Sequence, residues 1–190
     1  MLRNMLLVTL AIGSAACAPV TADEPLFAGD PVQPAEGLWV WADPDCRLPT
    51  SPDIRTWPQC AQSLRVEAGL VTWTRALARP DAGLRASAPF AASAGDPLIV
   101  RLGGPENGPG GLPLYHFVAL QTVQRNAAGR VVAADGAILT CQSDPVTGIR
   151  SNADGACSAQ TVAGLRALAA EQLGLSLTPP ARLRWIAPLS

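Results

Sequence analysis

The stretch LYHFVALQTVQRNAAGRVVAADGAILTC, residues 114–141, is the clearest secondary-structure pattern in the chain and decides its fold class. Its first part, 114–125, is rich in β-branched and aromatic residues, which favour strands. The segment from Asn126 to Gly129 has the composition of a four-residue turn. Residues 130–141 then return as a second strand, in which Gly136 predicts a bulge. The stretch therefore predicts an antiparallel β-hairpin.

Shorter strands are predicted on both sides of this hairpin. They are GLWVW at 37–41, two runs within LRVEAGLVTWTR at 64–75, residues 98–102, and ARLRWIA at 181–187. The residues between 76 and 96 are rich in Ala, Pro and Gly and are predicted to be irregular. The chain shows no internal repeat.

One helix is predicted, from Ser158 to Leu173. Val162 and Leu165 begin an apolar stripe at helical spacing, Ser158 is a suitable N-cap, and Gly174 is suited to the position after the helix. Antiparallel strands followed by one helix predict an α+β fold. In this fold the C-terminal-region helix packs on an antiparallel sheet that disulfides staple.

The charge composition excludes several classes of function. The 190 residues carry a net charge of −1, so no basic field is available to attract nucleic acid. All fourteen basic residues are arginine. The absence of lysine excludes a Walker A loop, a Schiff-base lysine and a Ser-x-x-Lys acyl enzyme. His116 is the single histidine, which excludes HExxH metalloproteases and multi-histidine zinc sites.

The N-terminus, MLRNMLLVTLAIGSAAC, has the order of a secretory signal. Arg3 precedes an apolar run from Met5 to Ile12, and small residues follow. The apolar run is shorter than the roughly 20 residues that a membrane-spanning helix needs. The leader therefore predicts export of the chain.

Two cleavage sites are possible. Ser14–Cys17 resembles the lipobox of bacterial lipoproteins, in which the cysteine becomes the acylated N-terminus, whereas Val20–Ala22 resembles an ordinary signal-peptidase site. The favoured organisation is a signal peptide at 1–16, a lipidated Cys17 with a flexible tether to residue 36, and one globular periplasmic domain at 37–190. Ala18 follows the cysteine where Asp retains some lipoproteins in the inner membrane, so an outer-membrane location facing the periplasm is favoured.

The cysteine count agrees with export. Five cysteines are present, and both cleavage sites leave four for the domain. Three pairings are possible, and we favour Cys46–Cys60 with Cys141–Cys157 because short loops close most readily. An oxidising compartment would preserve such bonds. The spacing of these cysteines does not fit a structural zinc site.

Two features are candidate functional sites. His116 titrates near neutrality, but the sequence places no nucleophile or orienting acid beside it. Trp39 and Trp41 share one face of a strand, where they either build the core or stack on sugar rings. No catalytic residue, metal ligand or cofactor is assigned.

Four segments carry a family resemblance: the leader ending at Cys17, GLWVW…DPDC with WPQCA at 57–61, the hairpin residues 115–131, and residues 141–172. In these segments the chain resembles a group of small, uncharacterised bacterial lipoproteins. The resemblance implies an envelope location and two disulfides, and it transfers no catalytic residue.

The function expected from the sequence is that of an envelope-anchored lipoprotein that binds or supports other envelope components. Its partners would be the membrane, through the lipid anchor, and an envelope protein or cell-wall component. Two alternatives remain open. One is an exported hydrolase that acts on cell-wall or lipid material through His116. The other is a carbohydrate-binding module that uses Trp39 and Trp41.

Overall fold

The fold is seen in a computed structural model that describes residues 19–22, 24–27, 32–74, 87–104, 114–141, 146–151, 156–175 and 180–189. The strands in these residues are β1 (Thr21–Ala22), β2 (Gly37–Ala42), β3 (Ala61–Glu67), β4 (Leu70–Thr74), β5 (Ser87–Ser93), β6 (Leu98–Gly104), β7 (Leu114–Arg125), β8 (Val131–Ile138), β9 (Ile149–Ser151), β10 (Cys157–Ala159) and β11 (Ala181–Ala187). Helix α1 spans Val162–Leu175, and Ile54–Thr56 forms a short 3₁₀ helix.

Eight of these strands close into an antiparallel β-barrel. Around the barrel, β2 to β8 follow one another in chain order, and β11 fills the place between β8 and β2. The pairing of β6 with β7 makes the ring continuous. Closure leaves the barrel without an edge strand, which is the open hydrogen-bonding surface that a flat sheet would expose.

A small additional sheet extends from the side of β7. Strand β1 pairs with β7 on one side and with β10 on the other, and β9 completes the sheet. Helix α1 follows β10 directly and packs against this region. Its residues Leu165, Leu168 and Ala169 are at most 1 % exposed, and they share a core with Phe117 on the outer face of β7.

A second group of residues covers the outer face of β2. The segment that joins β2 to β3 carries Cys46 and Trp57, which pack on Leu38 and Val40. A disulfide stabilises each of the two regions that pack on the outside of the barrel. Cys46–Cys60 closes the segment between β2 and β3, and Cys141–Cys157 lies beside α1. This is the pairing that the short loops favour. No described helix has the length and apolar character needed to cross a membrane.

The predicted α+β fold, a sheet with a helix packed on it, is therefore wrong. The sheet closes on itself, because residues 87–93, which are predicted to be irregular, form strand β5 between β4 and β6. The helix packs on the outside of the barrel. Residues 76–86 of the region predicted to be irregular lie outside the described residues.

Two local predictions are also corrected. Helix α1 begins at Val162, because Ser158 belongs to β10 and Thr161 caps the helix through a hydrogen bond from the Gly164 amide at 3.0 Å. Gly136 does not form a bulge, since the pairing of β7 with β8 is regular there and shifts only after Gln121.

Part of the segment expected to be a tether packs on the domain. Val20 is fully buried, and Ala35 is 6 % exposed. Arg101 donates hydrogen bonds to the carbonyl oxygens of Pro25 and Phe27 at 2.8 and 2.7 Å, and its guanidinium lies over the Phe27 ring. The folded domain therefore includes residues well before Gly37.

Candidate binding site in the barrel

The inside of the barrel is built from every second residue of its strands. In β2, Trp39 and Trp41 project inward, while Leu38 and Val40 face the cover on the outside. This alternation follows from the period of two in a strand. The sequence predicts that the two tryptophans share one face of the strand, and the structure shows that this face is the interior.

Two further tryptophans join this pair. The rings of Trp41 and Trp73 have centroids 5.7 Å apart and are tilted by 57°, which is a favourable arrangement for two aromatic rings. Trp185 lies opposite Trp39 in the pairing of β11 with β2. Four of the five tryptophans of the chain thus belong to one hydrophobic cluster, on strands β2, β4 and β11.

A cavity of about 70 Å³ lies between these side chains. Every side chain that lines it is apolar. The lining comes from all eight barrel strands and from Pro34, which precedes β2. The lining residues are Pro34, Trp39, Trp41, Leu64, Val66, Val71, Trp73, Phe90, Leu98, Val100, Leu102, Val118, Leu120, Val131, Ala134 and Leu183.

The chain itself closes one end of the barrel. The Val131 amide donates to the Gln33 carbonyl and the Ala35 amide donates to the Val131 carbonyl, at 2.9 and 2.8 Å, so Pro34 is held across the start of β8. The indole Nε1 of Trp39 donates to the Ala35 carbonyl at 2.8 Å. This hydrogen bond satisfies the polar atom of a buried indole and leaves the ring to face the cavity.

The chemistry available in the cavity follows from its walls. A single water needs about 10–15 Å³ of such space, so the cavity has room for several waters but offers them no hydrogen-bonding side chain. An apolar group is therefore favoured over water. With no acid, base or nucleophile in its lining, the cavity is suited to binding and provides no groups for catalysis.

His116 is not part of this cavity. It pairs with Leu102 on β6 and with Thr21 on β1, and it is half-buried. Burial lowers the pKa of the imidazole because a charged ring would lose its hydration. Within the described residues, no side chain forms a hydrogen bond or ion pair with His116. Among the described residues, no nucleophile or acid is therefore hydrogen-bonded to this histidine.

The remaining predicted site residues are placed as follows. Cys17 lies outside the described residues. Cys46, Cys60, Cys141 and Cys157 form the two disulfides. In the described part of the chain, no group of three or more His, Cys, Asp or Glu residues is placed to hold a metal ion.

Most of the cavity was not predicted from the sequence. Leu98, Val100 and Leu102 alternate along β6, and Val71 alternates with Trp73 along β4. This period-two signal was visible, but it marks one face of a strand and does not show that the faces of eight strands point at one another.

The fold and the cavity together define a closed antiparallel barrel with an apolar interior. Comparison with known proteins adds no relative: no family model matches the chain, and no curated protein and no solved structure matches it. The resemblance to small bacterial lipoproteins stays a prediction.

Proposed function

We propose that this protein is an exported lipoprotein of the cell envelope whose barrel binds the hydrocarbon chain of a small ligand. The observation that carries the proposal is the cavity inside the barrel, whose lining is entirely apolar and includes three tryptophans. Export is supported by the signal-like leader and by two disulfides, which persist in oxidising compartments. An outer-membrane location facing the periplasm remains part of the proposal.

The size of the cavity favours one alkyl chain over a two-tailed lipid. Each buried methylene contributes about 0.8 kcal/mol, so six of them would contribute about 5 kcal/mol. Before the cost of association is subtracted, this corresponds to a dissociation constant of about 0.1–1 mM. We therefore expect weak binding of single-chain fatty acids or detergents, with the end of the chain inside the barrel.

The tryptophans provide the assay. Trp39, Trp41 and Trp73 line the cavity, so a fatty acid brominated near the end of its chain should quench their fluorescence in a saturable way. Ala134→Leu should weaken the binding at least ten-fold, because Ala134 is 1 % exposed and lines the cavity. Ala137→Leu, on the outward side of the same strand, is the matched control and should bind like the wild type.

The outcomes separate cavity binding from adsorption. Equal quenching in both variants would mean that the fatty acid binds the outside of the protein, and this would contradict the proposal. An absence of quenching in the wild-type protein would contradict it as well. Far-ultraviolet circular dichroism checks that each variant is folded.

The geometry favours this function over the two alternatives. A sugar ring stacks on an exposed indole, but Trp39 is 3 % exposed and both it and Trp41 face the cavity. A hydrolase needs a nucleophile hydrogen-bonded to its base, and no described side chain makes a hydrogen bond to His116.

A further inference from the structure

Strand β1 is an internal part of the fold. Thr21 pairs with His116 of β7 on one side and with Ser158 of β10 on the other. The Val20 amide donates to the Leu139 carbonyl at 2.8 Å. Val20 is fully buried and Ala22 is 1 % exposed, and both belong to the core beneath α1.

Loss of this strand would damage two neighbours at once. Removing it would uncover the edge of β7 near His116 and the edge of β10, and it would leave their backbone groups without these partners. It would also open a void in the core where Val20 and Ala22 now pack. The folded domain thus requires these residues to remain in the mature chain.

This requirement distinguishes the two cleavage sites in the leader. Cleavage after Ala22 would remove β1, whereas cleavage before Cys17 keeps it. We infer that the leader is removed before Cys17, and that the acyl chains on this cysteine hold the domain directly against the bilayer through the surface beside β1. The inference rests on the proposed export and anchoring, and it adds the processing site and the orientation.

The reach of the chain sets how close the membrane must lie. Cys17 precedes Pro19 by two positions, so their Cα atoms are at most about 7 Å apart. Pro19 is already held in the fold by a β-bridge to Thr140. An acylated Cys17 therefore leaves no slack for a tether between the bilayer and the domain.

An exposed apolar side chain lies at the same end of the barrel as β1, on β8, which pairs with the same edge of β7. Among the described residues, the exposed large hydrophobic side chains are Ile138, 46 % exposed, and Leu70, 42 % exposed. Ile138 is two residues before Thr140, the partner of Pro19. Leu70 begins β4 at the other end of the barrel, as the strand pairings show. Ile138 is thus positioned to contact the bilayer, and Leu70 is its natural control.

The processing site is tested in the full chain, expressed in a bacterium with an alkyne-labelled fatty acid. We expect label on the wild-type protein, loss of label in Cys17→Ser, and an N-terminal peptide that starts at an acylated Cys17. A mature start at residue 23 would overturn the inference and leave export intact. An unacylated start between residues 17 and 19 would overturn the anchor. A protein that keeps Met1 would contradict the proposed export itself.

The orientation is tested by hydroxyl-radical footprinting of the lipidated protein in nanodiscs, with soluble Cys17→Ser as the reference. We expect oxidation of Ile138 to fall at least three-fold in nanodiscs, while oxidation of Leu70 stays unchanged. Equal oxidation of Ile138 in both samples would overturn the membrane-facing surface.

Discussion

Gly136 has no space for a side chain, although it lies in the middle of β8. A Cβ atom at this position would lie 2.7 Å from Cδ2 of Leu120, 3.1 Å from Cδ1 of Leu183 and 3.3 Å from the Ala119 carbonyl oxygen. Both leucines line the cavity. The Gly136→Ala substitution therefore forces two side chains of the barrel interior to move.

Gly136→Ala should destabilise the protein by about 1 kcal/mol, the lower end of the usual cost of an additional carbon in a core, because both leucine tips can shift into the cavity. In a chain of this size, 1 kcal/mol corresponds to about 2–4 °C, and we expect Tm to fall by this amount. Thermal and urea unfolding measure the change. Because Leu120 and Leu183 would move into the cavity and reduce its volume, the variant should also bind fatty acid more weakly.

The matched control is Gly174→Ala. Gly174 lies in α1, and a Cβ atom there meets no atom within 4 Å. Alanine is favoured over glycine in a helix by up to about 1 kcal/mol, so this variant should be equally or more stable than the wild type. A Tm of Gly136→Ala at or above the wild-type value would refute the argument from close packing.

Three further predictions concern the covers and the histidine. Replacing both Cys141 and Cys157 by Ala should cost about 3 kcal/mol, because the bond closes a loop with a sequence separation of 16; an unchanged urea midpoint would contradict this. Leu165→Ala should cost about 2–5 kcal/mol, since Leu165 is fully buried between α1 and the barrel; thermal unfolding tests it. His116 has a pKa lowered by burial, so the unfolded chain binds its proton more readily and stability should fall as the pH drops below about 6.5. His116→Gln should reduce that loss in urea titrations at pH 7.5 and 5.5, and an identical pH dependence in both proteins would rule it out.

Much of the barrel was predictable as separate strands. The hairpin of β7 and β8, the final strand β11 and the pair β3–β4 all carry alternating or β-branched patterns that identify strands locally. The two disulfides also follow from sequence separation. These features are local, and elementary chain properties are sufficient to predict them.

The closed architecture was not predictable because it depends on β5. Its sequence, SAPFAAS, consists mostly of small residues and contains Pro89, so it lacks the pattern of a strand. Contacts in the folded barrel stabilise this strand instead. Ala91 and Ala92 are buried and pair with β6, and Phe90 lines the cavity. When β5 is not predicted, no strand links β4 to β6. The remaining strands then predict an open sheet, one face of which a helix would have to cover.

The segments that pack on the outside of the barrel are the second reason why the closed fold was not predicted. If the outer face of the barrel were exposed to solvent, β2 would alternate between apolar and polar residues. In the structure, all of GLWVWA except Trp41 is buried. The interior takes Trp39 and Trp41, while the Cys46–Cys60 segment takes the other face. The middle of β7 is likewise buried on both faces, with Phe117 beneath α1 and Val118 in the cavity. Strands buried on both faces are typical of a sheet between two layers. The sequence pattern of a strand therefore indicates whether one or both of its faces are buried, but it does not indicate that the sheet closes into a barrel. The cavity therefore forms only when the ring of strands is closed. The period-two pattern of one strand predicts only the residues that this strand contributes to the lining.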